Sequence, residues 1–125
     1  MRVMTTADSR KKLSSDNIAP EALSKMASFH SEVVAHVASE VASHRVVVVG
    51  MKQNPVVKKA RKALDDLGAE YTYLEYGSYM GEWKKRLALK LWSGWPTFPQ
   101  VFVDGTLLGG ADELIAAIAS GKFKN

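Results

Sequence analysis

Trp95-Pro96-Thr97-Phe98-Pro99-Gln100-Val101-Phe102-Val103-Asp104-Gly105-Thr106-Leu107-Leu108-Gly109-Gly110 is the stretch on which the fold turns. Asp104-Gly105 sits between two apolar runs, Gln100-Val101-Phe102-Val103 and Thr106-Leu107-Leu108. Asp-Gly in that setting is the strongest short hairpin signal, because the type I′ two-residue turn it favours needs positive φ at both central residues. Two antiparallel strands are therefore expected, entered past Pro96 and Pro99 and left through Gly109-Gly110. Ala111-Asp112-Glu113 then opens a final helix, since acidic side chains favour a helix N-terminus. Leu114, Ile115 and Ile118 carry it to Gly121.

Upstream of the hairpin, Val46-Val47-Val48-Val49 is an uninterrupted β-branched run stopped by Gly50, the mark of a central strand covered on both faces. Asn54 followed by Pro55 suits a helix N-cap with proline at the first helical position. Val57, Ala60, Ala63, Leu64 and Leu67 repeat at helical spacing up to Gly68, a C-terminal stop. Residues 70–76 alternate as a second strand, reached by a crossover helix and hence parallel to the first. Ser78 is expected to cap a further helix whose inward stripe is Met80, Trp83, Leu87 and Leu91, with Lys84, Lys85 and Lys90 pointing elsewhere. At the N-terminal end, Leu23, Met26, His30, Val33, Val37 and Val41 form one apolar stripe, predicting a single helix of about twenty residues. The expected order is αβαβαββα.

The chain has 125 residues, of which 46 % are hydrophobic and 24 % charged. Those values suit one compact globular domain and neither a disordered chain nor a membrane protein. The longest apolar run is only of strand length, and Met1 to Asp16 hold no apolar stretch of the kind an export signal needs. A cytoplasmic location is the resulting expectation. There is no cysteine, which excludes a disulfide framework, a thiolate metal site supplied by the chain and a cysteine nucleophile. His30, His36 and His44 are six and eight residues apart, matching no helical metal pair. The net charge of +4 is concentrated in two groups, Lys52, Lys58, Lys59, Arg61, Lys62 and Lys84, Lys85, Arg86, Lys90. They are read as solvated helix faces or anion-binding surfaces.

The run from Trp95 to Gly105, together with Leu108-Gly109-Gly110-Ala111-Asp112-Glu113-Leu114, resembles the C-terminal half of glutaredoxins. It is most similar to the monothiol branch, where W-P-T-[FI]-P-Q recurs. The resemblance extends over about residues 33–123 and implies a thioredoxin-like α/β fold, a four-stranded mixed sheet flanked by helices. Here it would carry an N-terminal tail and helical extension (residues 1–30) ahead of a glutaredoxin-like domain (residues 31–125). It also implies a glutathione site in which Lys52 meets a carboxylate and Thr97, Phe98 and Pro99 present backbone to the cysteinyl part. Gly110, Ala111 and Asp112 would hold the γ-glutamyl end. The physics suits each role, lysine being a compact cation and a glycine turn into a helix N-terminus offering N–H groups to an anion. The Phe98–Pro99 bond is expected to be cis, because X-Pro bonds tolerate it.

The family's thiol position falls on Asn54, and the second active-site position on Val57. Asparagine is no redox group and a very poor nucleophile, and its carboxamide suits a helix cap. No catalytic residue and no protein-ligated metal or iron–sulfur cluster is therefore assigned, and glutathione is the candidate ligand. The reading that follows is a non-catalytic module that binds glutathione or a peptide-like ligand and serves redox homeostasis or iron–sulfur machinery. Its rival is a protein-interaction scaffold with a vestigial groove, engaging a partner through the basic helix faces, or a partner or second copy through the N-terminal helix. An enzyme using Thr97, Ser78 or Tyr79 with a bound glutathione thiol is a third reading. Nucleic acid is not expected as a partner, because Trp83 and Trp92 are read as core or groove aromatics, and a membrane is not expected, because no apolar run is long enough to span one.

Overall fold

The structure is a computed structural model, and it describes residues 10–123. The first nine residues of the N-terminal tail lie outside the described residues.

Strand β1 (Val46–Gly50) is the centre of the sheet, and its four valines are essentially inaccessible to water. Alternation along the strand gives each sheet face its own core. Val47 and Val49 pack with Val33, Val37, Leu89 and Phe102 on one side. Val46 and Val48 pack with Ala60, Leu64, Val101 and Leu114 on the other. The β-branched run is thus explained by burial on both faces rather than by strand propensity alone.

Helix α3 (Pro55–Leu67) crosses over from β1 to β2 (Thr72–Glu75), which pairs parallel to β1 with Val48 opposite Tyr73. Strand β3 (Gln100–Val103) lies antiparallel on the other edge of β1, and β4 (Thr106–Gly109) completes the order β2-β1-β3-β4. Asp104 and Gly105 take φ values of 50° and 78°, as the tight turn between β3 and β4 requires. A register shift at Val101/Phe102 places a bulge in that pair. Helix α5 (Ala111–Ala119) packs beside α3, while α2 (Ser31–Ser43) and α4 (Trp83–Ser93) cover the opposite face. This is the thioredoxin-like arrangement that the sequence implied.

Two elements differ from the sequence reading. The single N-terminal helix is divided into α1 (Pro20–Ser28) and α2, with His30 at φ 45° between them. Only the second half of the stripe reaches the core: Val33 and Val37 are buried, whereas α1 has no buried residue. Tertiary packing therefore fixes α2 and exerts no such hold on the direction of α1. A short 3-10 turn (Ser15–Asn17) precedes it, capped by the Ser14 hydroxyl.

The second correction concerns α4. It starts at Trp83 after Glu82, which stands at φ 58°, and Ser78 does not cap it. The stripe expected to face inward, Met80, Trp83, Leu87 and Leu91, is exposed, and the buried face is Arg86, Ala88 and Leu89. Helical periodicity offers two apolar stripes on this segment, and packing of Leu89 against the sheet core selects the one that carries Ala88, with Arg86 buried beside it. That guanidinium donates to the carbonyls of Tyr76 and Gly81, at 2.7 and 2.6 Å, tying the loop before α4 to its inner face. A buried cation is tolerated where such acceptors satisfy it.

Candidate functional site

Asn54 is the N-cap of α3. Its Oδ1 accepts from the N–H groups of Val56 and Val57, at 2.9 and 3.0 Å. Pro55 at the first helical position needs no acceptor. The approach is set by Gly50, where a Cβ would lie 2.7 Å from Val57 Cγ1 and 2.9 Å from the Tyr73 ring. That close contact lets the loop leave the strand tightly over the start of α3. Asn54 thus stands at a positively polarised helix end with its one strong acceptor already committed to the backbone.

Beside it opens a cleft of about 440 Å³. It brings Asn54, Thr97 and Phe98 together with two cations, Arg86 and Lys90. Met51, Val56, Tyr79 and Pro96 supply the apolar remainder of its walls. The Phe98–Pro99 bond is cis, as expected, and Pro99 lies fully buried behind the wall. Lys90 Nζ sits 5.8 Å from the Phe98 ring centroid, a cation over an aromatic face.

Sequence reasoning did not single out Arg86 and Lys90 as site residues. The signal was there: two basic residues four apart share a helix face, and this helix runs directly into Trp95–Pro99. Lys52 is exposed and is not among the cleft walls. Its N–H donates to Gly77 O at 2.7 Å, and its charge, with that of Arg86, adds to the pull of Lys85 on Glu82. Lys85 hydrogen-bonds that carboxyl at 2.8 Å and is the main reason it is held below the usual carboxylate range.

Gly110, Ala111 and Asp112 form the start of α5, outside the cleft walls but against Pro99, whose carbonyl would lie 3.5 Å from a Cβ placed on Gly110. The Gly110 N–H donates to Glu113 Oε1 at 2.9 Å, so one donor at this helix end is taken by the chain's own carboxylate. Gly109 has φ 128°, and a Cβ there would meet Glu113 Cγ at 2.8 Å and Trp95 Cη2 at 3.0 Å. Asp112, mostly exposed, pairs with Lys59 across α3 and α5 at 3.2 Å. Behind these residues the Trp95 indole Nε1 and Gln100 Oε1 are buried without a hydrogen-bond partner. Among the described residues no group of three or more His, Cys, Asp or Glu is placed to hold a metal ion. The polar groups of the cleft, an amide, two hydroxyls and two cations, do not fit an iron–sulfur cluster, which is held by thiolates or, in part, imidazoles. Two cations among the cleft walls do fit an anionic ligand.

A four-stranded sheet of this order, with a cleft between the start of the crossover helix and a cis-proline strand entry, defines a thioredoxin-like protein. The glutaredoxin family model matches residues 46–108, and the chain belongs to the glutaredoxin family. A glutaredoxin-like protein of Dictyostelium discoideum is 48 % identical over 97 residues, covering 78 % of this chain and 79 % of that one. Monothiol glutaredoxin-S17 of Arabidopsis thaliana is 38 % identical over 87 residues, 66 % of this chain and only 17 % of that longer protein. Among solved structures, a buckwheat glutaredoxin–glutathione complex superposes with a TM-score of 0.66 at 27 % identity, covering 74 % of this chain and 84 % of that one. The present chain is a family member with no cysteine.

Proposed function

We propose that the protein is a non-catalytic glutathione-binding module acting beside redox or iron–sulfur machinery in the cytoplasm. Residues 31–125 form the binding unit and residues 1–30 an extension. The observation that carries this reading is the cleft itself, whose walls include two cations, Arg86 and Lys90, together with Thr97 and Phe98, while Asn54 caps the helix beside it. The cations suit a ligand carboxylate. Backbone at Thr97, Phe98 and Pro99 suits the peptide part, in the manner of an added strand. Lys52 and the α5 start at Gly110, Ala111 and Asp112 serve the two outer ends of the ligand. The buckwheat relative was solved with glutathione, which supports the choice of ligand.

Without a thiolate the chain cannot itself form a mixed disulfide, so binding does not lead to exchange. The test is a titration with reduced glutathione up to about 10 mM, which detects a millimolar dissociation constant. Chemical-shift changes at Thr97 and Phe98, weakened by Lys90→Ala, are expected; no change at the top of the titration overturns the reading. Asn54→Cys is the companion experiment. Its introduced thiolate attacks glutathione disulfide, one sulfur bonding to the protein while the other leaves as glutathione thiolate.

A second reading, a scaffold engaging a partner or a second copy through the N-terminal helix, is favoured by α1, which has no buried residue. Deletion of residues 1–30 that alters particle size while glutathione binding persists would support it.

A further inference from the structure

We propose that the outer face of α4 is a docking ridge for an amphipathic α-helix with acidic flanks. Trp83, Leu87 and Leu91 stand four residues apart and share one helix face. They are 54 %, 36 % and 70 % exposed, and Met80, just before the helix, is 92 % exposed. The opposite face of α4 is anchored in the protein through Arg86, Ala88 and Leu89. The apolar ridge is thus the outermost line of an anchored helix, and not a stripe awaiting burial by a shift of α4. Large apolar side chains in such a row, Trp among them, are typical anchors of protein contacts.

Charge defines the partner. At about 100° per residue, Lys84 and Lys90 fall roughly 60° to either side of Leu87, Lys84 beside the ridge and Lys90 between the ridge and the cleft, where its Nζ lies 5.8 Å from the Phe98 ring. Lys84 Nζ lies 5.6 Å from the Trp83 ring centroid. No acidic residue occurs between residues 83 and 93. A helix laid along the ridge would place its own apolar seam against Trp83, Leu87 and Leu91 and its flanking positions against the two lysines, where Asp or Glu is favoured.

The same charges disfavour the other occupants. Two copies paired antiparallel about Leu87 would bring their two Lys84 side chains to one flank and their two Lys90 side chains to the other, like-charge approaches on both sides. A broad anionic membrane surface would also reach the carboxylates beside the ridge: Glu82 is paired with Lys85 at 2.8 Å, and Glu32 lies within electrostatic reach of that lysine. A helix only about 10 Å across meets the lysines without covering that acidic border.

The probe is a synthetic three-heptad peptide with Leu at the seam and Glu at both flanks, kept monomeric by its own like charges. Its control carries Lys at the flanks. Fluorescence anisotropy of the labelled Glu peptide against the full chain should give a dissociation constant on the order of 10–100 μM, as befits a small interface. The Lys peptide should bind at least tenfold more weakly. Leu87→Ser should weaken the Glu peptide at least tenfold with an unchanged urea midpoint, because the side chain is outside the core, and Lys84→Glu should narrow or invert the preference between peptides. Equal binding of the two peptides, or binding indifferent to Leu87→Ser, overturns the proposal. So does a Trp fluorescence blue shift with phosphatidylserine vesicles in the absence of peptide binding, or a dimer in sedimentation equilibrium that Leu87→Ser dissociates.

Discussion

Replacing Asn54 by alanine tests whether its carboxamide is a structural cap for α3. Asn54 Oδ1 accepts two backbone N–H groups, from Val56 at 2.9 Å and Val57 at 3.0 Å, and Val57 is a buried residue of the core. Loss of an Asn cap costs about 0.5–2 kcal/mol, and two accepted bonds, one at a part-buried amide, place this cap toward the upper half, about 1–2 kcal/mol. For a domain of this size that corresponds to a fall of roughly 3–8 °C in Tm. Urea unfolding followed by far-UV circular dichroism measures it directly, with an unchanged denaturant slope as the sign that only stability has moved. Asn54→Asp supplies the control: it retains the acceptor and places a negative charge at the helix N-terminus, so it should equal or exceed the parent. An Asn54→Ala loss below about 0.3 kcal/mol, or an Asn54→Asp protein as unstable as Asn54→Ala, would refute the capping argument. Asn54→Cys should share part of the loss, so that a gain of thiol chemistry comes with a measurable decrease in stability.

Leu64 is fully buried between α3 and the sheet, and Leu64→Ala should cost about 2–5 kcal/mol in the same unfolding assay, the range for a large-to-small change in a packed core. Gly50→Ala would place a Cβ 2.7 Å from Val57 Cγ1 and 2.9 Å from Tyr73 Cε1; a loss of about 1–3 kcal/mol is expected from overpacking, and Gly50→Ala combined with Val57→Ala should recover part of it. Burial, with help from the hydrogen bond to Glu75, raises the Tyr73 phenol from 10 to about 12. A raised folded-state value favours the protonated form in the fold, so this contribution is complete below pH 10 and is lost as pH rises through 12. Tyr73→Phe should therefore flatten the decline of the urea midpoint between pH 9.5 and 11.5, and an unaltered slope would contradict the assignment.

The core strands and their order were legible because each carries its own local signature. Four consecutive valines need two covered faces, Asp104-Gly105 needs a tight turn, and Asn54-Pro55 needs a helix start; all are conditions on a few adjacent residues. The groove segment Thr97 to Pro99 was legible as a motif. Arg86 and Lys90 were not, since a basic pair on a helix is ordinary until the fold places that helix beside the groove. The same limit explains α4: an apolar row at four-residue spacing says that a helix has an apolar face, not which neighbour the face meets.

The absence of cysteine is a property of the sequence alone, and with it goes the loss of the family's thiol chemistry. The helix start at residues 54–55 was determined in the same way, because capping is a contact between residues two and three apart. Tertiary structure decided the rest. It broke the N-terminal stripe at His30, because only Val33 and Val37 reach the sheet. It turned Trp83, Leu87 and Leu91 outward, because Leu89 and Ala88 pack toward the sheet, with the Arg86 guanidinium satisfied on the same inner side by the carbonyls of Tyr76 and Gly81. Burial is a relation between segments distant along the chain, and it is the packed sheet, not the local pattern, that selects which of two plausible faces is covered.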